Sequence, residues 1–140
     1  MDDLKLTYQV DGGDLLQAGE ASSKMKMTLK KLDLPPEVIR KASICMYEGE
    51  INMVIHGGGG KITVEITPQE VSMALEDQGP GIPNVELAMQ EGWSTAPDSV
   101  RNLGFGAGMG LPNMKKYTDE MEIKSQVGVG TTVLMKVKVS

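Results

Sequence analysis

Residues 61–77, KITVEITPQEVSMALED, decide how the rest of the chain is arranged. The stretch predicts two strands, Lys61–Thr67 and Val71–Glu76, joined by a short turn at Pro68-Gln69-Glu70. A link this tight leaves no room for a helical crossover. The pair is therefore antiparallel, and a Rossmann arrangement is excluded.

Working outward, Leu4, Leu6, Tyr8 and Val10 alternate with polar residues and predict a half-buried strand ended by Asp11-Gly12-Gly13. Helical spacing of Leu15, Ala18, Ala21, Met25, Leu29 and Leu32 predicts a first helix over Asp14–Leu32, with Asp14 as its cap. Leu34-Pro35-Pro36-Glu37 breaks the chain and starts a second helix, which runs to about His56 and stops at Gly57–Gly60. Downstream, Asp77–Pro83 is a turn-rich link into a short helix over Asn84–Met89. Gln90–Ala107 has no periodicity, as expected of a lid or binding segment. Gly108–Asp119 predicts a helix with Pro112 in its first turn, and Met121–Gln126 and Thr131–Val139 a closing hairpin. The order β-α-α-β-β-α-loop-α-β-β predicts an α+β fold: a two-layer sandwich of a mixed, mostly antiparallel sheet with helices on one face.

Composition narrows the function. The 140 residues suit one domain, 1–140, able to bury roughly 70% of its unfolded surface. Fourteen Lys and Arg against nineteen Asp and Glu give a net charge of -5, which argues against a nucleic-acid partner. One cysteine, Cys45, excludes an intrachain disulfide, and one histidine, His56, excludes a multi-His metal site. No apolar run approaches the roughly 18 residues of a membrane span. The opening Asp2-Asp3 is unlike a signal peptide, so a cytoplasmic location is expected. Eleven methionines and few aromatic residues imply an aliphatic, Met-filled core.

Three features carry chemistry. On the second helix, placing residues about 100° apart sets Asn52, Cys45 and His56 within about 80° of Glu48. Ile44, Ile51 and Ile55 flank that stripe, and Ile39, Ala42, Met46 and Met53 form a second apolar group. Glu48 and Asn52 thus lie within the apolar side, whereas Glu50, near 200° and beside Ser43, is expected to be solvated. Next, Asp77-Gln78-Gly79-Pro80-Gly81 ends an apolar strand, where a carboxylate can accept a ligand's N–H and glycines let the backbone pass close to a flat ligand. Last, Gly104-Phe105-Gly106-Ala107-Gly108-Met109-Gly110 feeds a helix start, a ready phosphate cradle. It is neither common phosphate fingerprint: the Rossmann pattern needs glycine at Met109, and a P-loop needs Ser or Thr where Ile62 follows Gly60-Lys61.

Together, the Glu-x-x-x-Asn-x-x-x-His helix, the Asp-x-Gly-x-Gly turn and the Gly-x-Gly-x-Gly helix start resemble the GHKL ATPases, over the chain from Asp14 to the end. The closing stretch Asp119–Ser125 through Gly130-Thr131-Thr132-Val133 is most similar to the anti-sigma-factor and stress-response serine/threonine kinase branch. The resemblance implies ATP and Mg²⁺ as cofactors, Glu48 as general base and Asn52 as the Mg²⁺ ligand. It also implies Asp77 as acceptor of the adenine amino group, with Gly79 and Gly81 shaping that pocket. Gly104, Gly106, Gly108 and Gly110 would cradle phosphates, His56 would border the nucleotide, and Thr131 or Thr132 would support Asp77 through a water. The implied activity is phosphorylation of a small antagonist protein in a partner switch that also holds a sigma-factor-like regulator, with a homodimer as one possible assembly. Ile55 stands where several members carry a phosphate-touching basic residue. That departure keeps a second reading open: a nucleotide-gated protein-binding module that binds ATP or ADP without efficient phosphotransfer.

Overall fold

In the computed structural model, the structure describes residues 3–12, 18–55, 58–79 and 110–139. Five strands form one sheet: β1 (Leu4–Asp11), β2 (Gly59–Ile66), β3 (Glu70–Asp77), β4 (Glu120–Gln126) and β5 (Gly130–Lys138). Their spatial order is β1-β2-β3-β5-β4. Every neighbouring pair is antiparallel, so among the described strands the sheet is purely antiparallel rather than mixed. Three described helices, α1 (Glu20–Lys31), α2 (Pro36–Ile55) and α3 (Gly110–Tyr117), complete the sandwich. The expected short helix Asn84–Met89 and loop Gln90–Ala107 lie outside the described residues.

The sheet's two faces follow from strand alternation. Ile62, Val64 and Ile66 on β2, Val71, Met73 and Leu75 on β3, and Val133, Met135 and Val137 on β5 are buried toward the helices. The other face carries spaced opposite charges, such as Lys136 at 3.7 Å from Glu120 and 4.0 Å from Glu70. Exposed pairs of this kind stabilise little, but they keep that face wet.

Helix α2 lies at the centre of the helical layer, touching α1, α3 and the sheet. That position explains its apolar girth: Ala42, Cys45 and Met46 are fully enclosed, and Ile39, Ile51, Met53 and Val54 are buried. Gly49 sets the closest approach to the sheet. A Cβ there would overlap Leu75 Cδ2 and lie 3.5 Å from Met114 Sδ. Buried Met25, Met46, Met53, Met73, Met114 and Met135 fill the core as the composition implies.

The start of α1 differs from expectation. The helix begins at Glu20, with Gly19 as N-cap in a left-handed conformation (φ 95°) and no side-chain cap. Asp14 lies outside the described residues and is five residues too early to cap it. The amides of this first turn find their acceptor on another helix.

Candidate nucleotide and phosphotransfer site

Asp77 closes β3 on the helix-facing side, opposite Gly60 of β2 and Thr131 of β5. Its Oδ1 accepts the backbone N–H of Gly79 at 3.0 Å, an Asx-type turn, and that of Thr131 at 3.2 Å. Among the described residues Oδ2 has no donor. Thr131 is buried, and its hydroxyl lies 2.9 Å from Ser125 Oγ. The Thr131 amide therefore supports Asp77 directly. Thr132 pairs with Glu76 and Lys124 on the opposite face of the sheet, because successive residues of a strand alternate sides. It does not face Asp77.

Two glycines permit this strand end. A Cβ at Gly60 (φ 155°) would overlap the Glu76 carbonyl, and one at Gly130 (φ 147°) would overlap the carbonyl of Asp77 itself. The same test brings α2 into the site, since the Gly60 position lies 2.9 Å from Met53 Cε. The turn of α2 that carries Asn52 and Met53 thus covers the Asp77 end of β3, one turn beyond the Gly49 contact with Leu75.

Glu48 and Asn52 lie one helical turn apart on α2, both half-buried. Glu48 Oε1 accepts from Asn113 Nδ2 at 3.4 Å, so α3 reaches the carboxylate one turn after Gly110. Burial, with a smaller push from the Glu48 carboxylate, raises the neighbouring Cys45 thiol to about 12. Its Sγ donates to the Met114 carbonyl at 3.7 Å, which makes Cys45 a packing residue without nucleophilic character. The structure thus joins Asp77 to Gly79 and Thr131 at the strand end and sets Glu48 against Asn113 of α3, one turn along α2 from Asn52, with Gly110 at the start of α3. His56, Gly81, Gly104, Gly106 and Gly108 lie outside the described residues.

Sequence reasoning missed Asn113 and misplaced Glu50. Asn113 is an ordinary polar residue in a first helical turn, and no pattern separates it from its neighbours. Glu50, expected in solvent, is only 2% exposed. Its Oε1 accepts the Ser22 N–H at 3.0 Å and the Ser22 hydroxyl at 2.7 Å, and its Oε2 the Ala21 N–H at 3.2 Å. The signal was available: Glu50 lies only about 40° around the helix from Met46, at the edge of the second apolar group.

Comparison with known families now has a geometry to meet. Residues 45–140 match the family model described as histidine kinase-, DNA gyrase B-, and HSP90-like ATPase. The chain belongs to this ATPase family. Among its curated relatives is the anti-sigma F factor of Clostridium acetobutylicum, 33% identical over 113 residues, covering 77% of this chain and 76% of the relative. That of Geobacillus stearothermophilus is 32% identical over 112 residues, covering 76% of this chain and 73% of the relative. A mycobacterial sensor histidine kinase, MprB, shares the fold, with a TM-score of 0.54 at 15% identity over 96% of this chain and 97% of that one. Both the anti-sigma relatives and the histidine-kinase-like fold agree with the family read from the motifs. Among the described residues, no helix is long and apolar enough to cross a membrane.

Proposed function

We propose that this chain is a Mg·ATP-dependent protein serine/threonine kinase acting as an anti-sigma-type partner-switching regulator. The observation that carries the reading is Asp77: one carboxylate oxygen is tied by two amides, and the other has no donor among the described residues and is left for a ligand at a strand end covered by α2. Curated relatives named anti-sigma F factor support the same reading.

The residues present fit an adenine nucleotide. Asp77 Oδ2 would accept the adenine amino group, and Gly60 and Gly130 keep the adjoining backbone bare of side chains. The half-buried Asn52 amide oxygen would be the protein's ligand to Mg²⁺, which supplies charge neutralisation on the phosphates when bound. Glu48, oriented by Asn113, would accept the proton of a serine or threonine hydroxyl as the hydroxyl oxygen bonds to the γ-phosphorus, while the bond from that phosphorus to the β–γ bridging oxygen breaks and ADP leaves with its electron pair. Gly110, with its helix-start amide, would face the phosphates. The acceptor is a small antagonist protein, and a sigma-factor-like protein is the regulator held in exchange.

The test incubates the protein with γ-labelled ATP and the products of neighbouring genes. One labelled band, lost in Glu48→Ala and yielding phosphoserine or phosphothreonine on hydrolysis, is the expected result. Tight ATP-dependent capture of a partner with no label transferred would instead establish the nucleotide-gated binding module.

A further inference from the structure

Glu50 is the one buried carboxylate among the described residues. The ion pairs of these residues all lie elsewhere, including Lys24 with Glu20 on the adjoining turn. Its charge is met instead by the N-terminus of α1, through the Ala21 and Ser22 amides and the Ser22 hydroxyl.

The surroundings show what this contact controls. On one flank of the α1 start, Gly19, Ser22 and Ser23 face Ser43, Tyr47 and Glu48 across a pocket of about 620 Å³. On the other flank, Glu20, Ala21 and Lys24 share a pocket of about 340 Å³ with Tyr8 of β1 and with Glu50. The first turn of α1 is thus a partition with open space on both sides. Gly19 offers no side-chain cap to fix it, and the three bonds to Glu50 hold its lateral position. Ser43 lines the larger side, and its buried hydroxyl oxygen has no hydrogen-bond partner among the described residues.

We propose that Glu50 is a positioning residue: by pinning the first turn of α1, it sets the opening of the pocket that leads to Glu48, through which the acceptor hydroxyl reaches that carboxylate. The proposal rests on the reading of Glu48 as general base. Glu48 and Glu50 belong to one turn of α2 but point about 160° apart, so Glu50 acts on Glu48 only through the wall it holds. Small errors in such a wall are costly to a reaction that depends on alignment.

The test uses full-length parent, Glu50→Gln, Glu50→Ala, Ser22→Ala and Glu48→Ala proteins. Mg·ATP affinity is measured by calorimetry, steady-state hydrolysis of Mg·ATP with water as acceptor, and amide exchange at Ala21, Ser22 and Ser23 by NMR. In Glu50→Gln and Ser22→Ala, ATP affinity is expected to stay within about twofold. Turnover is expected to fall about tenfold or more in Glu50→Gln and less in Ser22→Ala. Exchange should rise at Ala21 and Ser22 more than at Ser23, whose amide bonds the Gly19 carbonyl. If Glu50→Ala does not fold, the milder pair decides the matter alone. Parental turnover in both milder variants, with Glu48→Ala inactive, overturns the proposal and leaves Glu48 as base. Parental turnover in Glu48→Ala removes the underlying reading and this proposal with it. Where the parent does not hydrolyse ATP, label transfer to the acceptor protein identified with γ-labelled ATP is compared across the same variants, with the same outcomes deciding.

Discussion

Thr131 donates its backbone N–H to Asp77 Oδ1 at 3.2 Å, a bond between the last strand in chain order and the end of β3. Because Gly79 donates to the same oxygen, the carboxylate is held at one atom and, among the described residues, open at the other. Asp77→Asn keeps the shape but weakens the acceptor, and is expected to lower ATP and ADP affinity alike. A charge-assisted bond of roughly 1.5–3 kcal/mol corresponds to about 10- to 150-fold. GTP should bind the parent poorly, since guanine presents a carbonyl where adenine presents a donor. Calorimetry with the three nucleotides checks both statements, and equal ATP and GTP affinities would refute the assignment.

Asn52 and Glu48 separate metal from proton transfer. Asn52→Ala is expected to abolish the Mg²⁺ dependence of ATP affinity. Glu48→Ala should leave affinity nearly intact while lowering turnover roughly 10²–10⁴-fold. Titrations with and without Mg²⁺, beside single-turnover rates, distinguish the two.

Removing the Glu50 side chain strips the acceptor from two helix-end amides and a hydroxyl. Glu50→Ala should cost about 2–4 kcal/mol in urea unfolding, and Ser22→Ala about 1 kcal/mol. A solvated Glu50 would give less than about 0.5 kcal/mol.

Gly49 lies against Leu75, which is only 2% exposed. Gly49→Ala gains helix propensity of about 1 kcal/mol but forces α2 off the sheet, an overpacking cost of roughly 1–3 kcal/mol. A net loss of stability is expected, with weaker ATP binding as α2 lifts from the Asp77 strand end. A stabilised variant would show that Leu75 yields freely.

Cys45 ties stability to alkaline pH. Its thiol titrates near 9 when unfolded and about 12 when folded, so its contribution is complete below pH 9 and lost as pH rises toward 12. Unfolded chains release this proton first, and by pH 10.5 that amounts to on the order of 2 kcal/mol. Urea unfolding at pH 8 and 10.5 should show a smaller decline for Cys45→Ala than for the parent. In the native protein at pH 8, Cys45 should also resist thiol reagents.

Elements announced by repeated apolar spacing are found where the sequence places them, except that α1 starts at Glu20 rather than Asp14. The strand pair within 61–77, the closing hairpin and the two long helices each need only local pattern to be recognised. The place of Asp77 is also readable, since its position at the end of an apolar strand with Val71, Met73 and Leu75 in alternation puts it on the helix-facing side. What sequence cannot supply is the partner across space. Gly19 serves as N-cap of α1 without a capping side chain because Glu50, twenty-eight residues beyond Ser22, satisfies the first-turn amides of Ala21 and Ser22. Thr131 and Thr132 are equivalent as text, and only the register against Asp77 and Glu76 assigns them to different faces.

The strand order β1-β2-β3-β5-β4 carries a consequence for a chain that emerges from the ribosome in sequence. Strand β5, the last of the five to be synthesised, is inserted between β3 and β4. Until it arrives, β3 has a bare edge and Asp77 lacks one of its two amide donors. A nascent chain halted before Gly130 would therefore hold both long helices yet lack a finished candidate site at Asp77. If adenine docks at Asp77 as proposed, nucleotide capture becomes a late event in biogenesis, after the five-stranded sheet has closed around β5.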